Sequence, residues 1–161
     1  MPTNYPFPKP EQIRQIIMDL LGREVTVVRG DEFVLERDTP AVVSDYIADN
    51  GSIAAICMTD LRLSNALGAA LTMVPPAQVD EIVKKWVVDE QNLENLAEIV
   101  NIMARLFNSD DCEHLKWNKA HTLPGDLPEE TSTLMKAPLA RRDYDVTLDE
   151  YGSGKLSVLV G

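Results

Sequence analysis

The stretch Ala41-Val42-Val43-Ser44-Asp45-Tyr46-Ile47-Ala48-Asp49-Asn50-Gly51-Ser52-Ile53-Ala54-Ala55-Ile56-Cys57-Met58 decides the fold class. Two apolar runs rich in β-branched residues flank Asp49-Asn50-Gly51, and an Asn-Gly pair tolerates the positive φ of a tight turn. This predicts an antiparallel hairpin with strands at Ala41–Ala48 and Ile53–Met58. Upstream, Val25–Arg29 and Phe33–Glu36 read as further strands, with a turn at Asp38-Thr39-Pro40. Ahead of them Ile13, Ile16, Ile17, Leu20 and Leu21 recur at helical spacing from Glu11 until Gly22 stops the pattern. Residues 1–9 carry three prolines and no helical period, which predicts an extended arm.

Downstream of the hairpin, Thr59 or Asp60 is placed to cap a helix through Leu61, Leu63, Ala66, Leu67, Ala70 and Leu71. Pro75-Pro76 ends it and suits the first turn of the next helix, which carries Val79, Ile82, Val83, Trp86 and Val87. Helical spacing continues from Leu93 to Phe107, with the polar residues Asp89 to Asn92 bending or splitting the stretch. Cys112–Trp117 reads as a strand and His121 to about Pro138 as a loop. Tyr144–Leu148 and Leu156–Val160 read as strands joined across Tyr151-Gly152-Ser153-Gly154. Strands grouped in meanders do not fit a βαβ alternation. The expectation is an α+β fold, an antiparallel or mixed sheet packed against long α-helices on one face, forming a single domain over residues 1–161.

Composition narrows the function classes. With 45% hydrophobic and 25% charged residues the chain has the make-up of a globular protein. It carries 26 acidic against 15 basic side chains, a net charge of −11, and so repels phosphate backbones and anionic lipid. Nucleic acid and membrane surfaces are excluded as expected partners. The start has no basic region followed by an apolar one, and the longest apolar run, Ile53 to Met58, is far short of the roughly 20 residues that span a bilayer. A cytoplasmic chain is expected. Cys57 and Cys112 lack C-x-x-C spacing and read as buried thiols. Gly152-Ser153-Gly154-Lys155 lacks the first glycine and the Ser or Thr of a phosphate loop and reads as a hairpin turn. Cys112-Glu113-His114 in a chain with two histidines is too poor in ligands for a zinc site. No G-x-S-x-G elbow exists for a nucleophilic serine.

The informative helix is Glu94 to Phe107. At about 100° per residue, Leu93, Leu96, Val100, Met103 and Phe107 fall on one side, widened by Ile99, Leu106, Ala97 and Ala104. Opposite them Glu94, Glu98, Asn101 and Arg105 make a narrow polar ridge, with Glu98 and Asn101 side by side. A carboxylate beside a carboxamide offers a charge for a cationic partner group, and a donor and acceptor that orient a water. An ordinary solvated ridge, with Glu94 or Glu98 paired to Arg105, accounts for the same spacing.

Ala97-Glu98-Ile99-Val100-Asn101, followed after 22 residues by Pro124, resembles the E-x-x-N and distant proline signature of the CheC/CheX/FliY family of chemotaxis-type phosphatases. The earlier helix Asn65-Ala66-Leu67-Gly68-Ala69-Ala70-Leu71 is similar to the helix that follows the hairpin in that family, and the order of elements agrees from Ala41 to Pro124. With one motif, the chain resembles the CheX type. The resemblance implies a CheX-like sheet packed on long helices, and hydrolysis of the aspartyl-phosphate of a CheY-like receiver domain in chemotaxis or another two-component pathway. By position Glu98 and Asn101 are then catalytic. Glu98 pairs with the receiver's lysine and Asn101 positions the attacking water. Glu94, Arg105 and Pro124 lie on the partner-binding side. The protein needs no cofactor or metal of its own, Mg²⁺ being supplied by the receiver, and a homodimer forms by pairing sheet edges. Ala97 stands where many members have Gly, and Glu94 where Asp or Ser is frequent. A non-catalytic adaptor or binding protein on the CheX-like scaffold is the alternative.

Overall fold

The computed structural model describes residues 7–108 and 114–161. Cys112, and with it the start of the strand expected at Cys112–Trp117, lies outside the described residues. The first helix, α1 (Pro10–Leu21), opens on a proline whose missing N–H costs nothing at that position, and Gly22 closes it at φ 64°. Strand β1 (Val25–Arg29) follows, then the hairpin of β2 (Ala41–Ile47) and β3 (Ile53–Asp60). Helices α2 (Leu61–Leu71), α3 (Pro76–Lys84) and α4 (Glu90–Ile102) come next, the last running into a 3-10 turn at Met103–Phe107. The chain ends with β4 (Lys116–Leu123), α5 (Glu129–Lys136), β5 (Ala140–Leu148) and β6 (Gly152–Val160).

All six strands are antiparallel neighbours in one sheet of order β1-β5-β6-β3-β2-β4. Alternate residues of β2 serve opposite faces. Val42 and Tyr46 enter a large core with Ile13 and Ile17 of α1, Leu63 and Leu67 of α2, and Leu96, Ile99 and Val100 of α4. Val43 enters a smaller core with Ile56, Met58, Leu159 and Leu134 of α5. The long helices thus share one face, as expected, but the other face is covered too, and this is why β2 is buried along nearly its whole length.

Three local expectations are corrected. Phe33–Glu36 is not a strand: the Phe33 N–H donates to Asp143 at 2.9 Å and the Phe33 carbonyl accepts from Arg141, so side chains satisfy this backbone instead of a ladder. The loop expected from His121 to Pro138 holds the end of β4 and all of α5, whose Thr131 is fully buried and donates to Asp45 at 2.8 Å. The turn before β6 is Asp149–Tyr151, and Gly152-Ser153-Gly154 already pair with β5. A Cβ at Gly154 would stand 2.6 Å from Leu63 Cβ, so the glycine allows β6 to pass close under α2.

Candidate functional site on helix α4

Asp89 starts α4 as its N-cap, its carboxylate accepting from the Asn92 N–H at 3.1 Å. Of the two outcomes left open, bending or splitting, the stretch is split, with Trp86 at φ 64° turning the chain between α3 and α4. Buried amides then tie α4 to α2. Asn65, fully buried, accepts from the Asp89 N–H at 2.9 Å and from Asn92 Nδ2 at 3.1 Å, and donates to the Val87 carbonyl at 2.9 Å. Asn95 donates to the Gly68 carbonyl at 2.9 Å and to Thr72 Oγ1 at 3.2 Å. One helix is laid along the other through polar contacts that have one geometry.

The outer face of α4 is different. Glu94, Glu98 and Asn101 are exposed on it, and Arg105 is exposed in the 3-10 turn that continues it. Neither the Glu98 carboxylate nor the Asn101 carboxamide has a hydrogen-bond or ion-pair partner among the described residues, and Arg105 pairs with neither Glu94 nor Glu98. The ion-paired ridge that would have made these residues a surface ornament is absent from the described residues. Glu98 and Asn101 stand one helical turn apart, their Cβ atoms about 5–6 Å from each other. Among the described residues the carboxylate and the carboxamide are both unpartnered.

Pro124 is placed by β4 and not by α4. It is exposed just beyond β4, beside a shallow recess of about 460 Å³ that includes Arg37, Asp38 and Thr39. The tyrosine that contacts α4, Tyr46, pairs with Trp117, whereas Leu123 pairs with Ala41. Glu94, Glu98, Asn101 and Arg105 lie together on the outer face of α4 and its 3-10 continuation.

Two polar clusters escaped sequence reasoning. The Asn65, Asn92 and Asn95 set is one. The other is Asp45, fully buried, which accepts from Asn118 Nδ2, His121 Nε2 and Thr131 Oγ1, each at 2.8 Å, and from the Lys119 N–H at 3.2 Å. It locks β4 and α5 to β2. Its partners lie more than 70 residues away in sequence, and no local pattern signals them. Cys57 is buried, which pushes its thiol up to about 12 and leaves it unreactive. Among the described residues no cluster of three or more His, Cys, Asp or Glu is arranged to hold a metal ion, and no helix is long and apolar enough to cross a membrane.

No family model and no curated protein matches the sequence. Solved structures do match the fold. Thermotoga maritima FliY is similar at 11% identity with a TM-score of 0.62, covering 92% of this chain and 82% of its own. A chain of the FliM-SpeE complex from H. pylori is similar at 6% identity and a TM-score of 0.68, covering 94% and 80%. The FliM middle domain from H. pylori gives 7% identity and a TM-score of 0.53, covering 94% and 84%. Identities this low speak for architecture alone, and on that ground the chain has a CheC/CheX/FliY-like fold.

Proposed function

We propose that this protein hydrolyses the aspartyl-phosphate of a CheY-like receiver domain, with Glu98 and Asn101 as the working pair. The observation that carries the reading is that both side chains are exposed and unpartnered among the described residues, on a helix fixed to the sheet and to α2. Glu98 holds the receiver's active-site lysine by charge, and the Asn101 carboxamide accepts and donates to a water in line with the phosphorus. A carboxamide needs no pKa tuning for this. Catalysis comes from placing a water where the receiver's own Mg²⁺ and lysine already stabilise the transferring group. Acidic surface favours a partner that presents a lysine, and such a partner places the protein in the cytoplasm. The test is loss of phosphoryl label from a receiver, with wild type against Asn101→Ala. Removing one well-positioned group costs on the order of 100-fold in rate, and equal rates would refute the assignment.

A second reading, a non-catalytic adaptor, is favoured by the likeness to FliM, which one of the similar structures holds in a complex with SpeE. It predicts receiver binding with an unchanged phosphoryl lifetime. In either case we propose that a second copy pairs along a sheet edge, and the outermost strands among the described residues are β1 and β4.

A further inference from the structure

A water-orienting amide works only if its helix turn is held still, and two buried polar contacts bracket that turn. Three residues before Glu98, Asn95 is tied to Gly68 and Thr72 of the α2 end. Two residues after Glu98, the Val100 carbonyl accepts 2.6 Å from the hydroxyl of Tyr46. That carbonyl belongs to the peptide unit whose N–H is Asn101's own. Because the unit is planar, fixing its oxygen fixes the plane from which the Asn101 Cα departs.

Tyr46 is built into this position. It is fully buried, and its ring meets Phe107 with centroids 5.0 Å apart and planes inclined at 55°. The sheet is irregular at this residue on both sides. Pairing with β3 shifts register between Tyr46 and Ile47, and pairing with β4 shifts between Asp45 and Tyr46. Bulges of this kind bend a strand locally and re-aim a side chain. The aimed hydroxyl reaches α4 just before the winding changes from α to 3-10 after Ile102, the point where the turn has two ways to close. Burial raises the phenol well above the ordinary tyrosine range, so the group stays a neutral donor.

We propose that Tyr46 is a positioning residue for Asn101, its hydroxyl holding the Val100–Asn101 peptide so that the carboxamide stands at a fixed place beside Glu98. The consequence in rate rests on the phosphatase reading above, whereas the contact does not. Tyr46→Phe keeps the ring and removes the donor. By amide exchange in the full chain, the Asn101 to Ala104 N–H groups are expected to exchange about 5- to 10-fold faster in this variant, the loss of one hydrogen bond, with Ala66 to Ala70 unchanged. With a phosphorylated receiver, kcat falls about 10-fold at a KM within twofold of wild type. In an Asn101→Ala background the same substitution has less than a twofold further effect, which a general loss of stability would not produce. Unchanged exchange at Asn101 to Ala104 overturns the proposal whatever the activity. Equal kcat values for wild type and Tyr46→Phe, where Asn101→Ala is slow, also overturn it. If Asn101→Ala leaves label loss unaffected, the phosphatase reading fails and the exchange result alone decides the role of Tyr46. Should Tyr46→Phe not fold, the wild-type hydroxyl proton decides: a slowly exchanging Tyr46 resonance is expected, and a freely exchanging one overturns the contact.

Discussion

Gly68→Ala sets two physical effects against each other, and the structure says which wins. In an isolated helix the alanine would gain about 1 kcal/mol over glycine. Here α2 passes α4 at close range. A Cβ on Gly68 would stand 2.6 Å from Asn92 Cα and 2.7 Å from its carbonyl carbon, where ordinary contact begins at 3.4 Å. The neighbour is backbone and has no rotamer to change, and the Asn92 carbonyl oxygen stands closer still, so the two helices must part by more than about 0.8 Å. Such a move stretches the 2.9 Å bond from Asn95 to the Gly68 carbonyl and the 3.1 Å bond from Asn92 to Asn65 beyond useful length. Overpacking costs about 1–3 kcal/mol and the two buried bonds about 1 kcal/mol each. Set against the helix gain, the net loss is roughly 2–4 kcal/mol, or about 5–15 °C in Tm for a domain of this size. Thermal and urea unfolding of the wild type and the variant measure it directly. A Tm equal to or above wild type would refute the reasoning, because propensity would then have outweighed the contact.

Two further outcomes are expected. Asp143 lies under the Phe33 loop: burial pushes its carboxyl up, but hydrogen bonds from Arg141, Ser157 and the Phe33 N–H, with the Arg141 charge, outweigh this and hold it below the ordinary carboxylate range. A lowered native pKa contributes stability that is complete above the unfolded value of about 3.9 and is lost as pH falls through the native one. Asp143→Asn therefore costs about 1–2 kcal/mol at pH 7 and shows a smaller drop in stability on acidification. Unfolding curves from pH 7 to 3 that stay parallel for the two proteins would contradict this. For assembly, β1 is the better edge for a second copy, since its Val28 is 51% exposed while β4 presents Lys116 and Lys119. Sedimentation should show a dimer that Val28→Lys weakens at least 10-fold, and an unaltered dimer would move the interface elsewhere.

Much of this architecture is legible in the chain. The Asn50-Gly51 turn and its flanking runs form the hairpin, Asp60 caps α2, and the Pro75-Pro76 pair separates α2 from α3. The ridge of Glu94, Glu98 and Asn101 points to solvent as helical spacing requires. What escaped had a common cause, support from residues far away in sequence. The Thr-Ser-Thr run of α5 is a poor helix former, yet Thr131 is held by Asp45 and Leu134 by the sheet. Phe33–Glu36 has the residues of a strand, but Arg141 and Asp143 occupy its backbone. Leu93 to Phe107 keeps one apolar period, so the switch to 3-10 winding after Ile102 leaves no mark in the pattern.

Periodicity in the chain is enough to say which side chains face outward on α4, because helical spacing is a local property and the apolar set leaves only one face for the polar one. The hairpin is legible for the same reason, a turn being encoded in its own few residues. Whether that outward face carries ion pairs among the described residues is a tertiary matter. Pairing of Glu98 with Arg105 was equally compatible with the spacing, and the choice depends on where the 3-10 turn carries Arg105. Tertiary structure also decided that Asn65, Asn92, Asn95 and Tyr46 are buried anchors. Hydrogen bonds between elements depend on how the sheet twists and where the helices land, and no window of sequence contains that information.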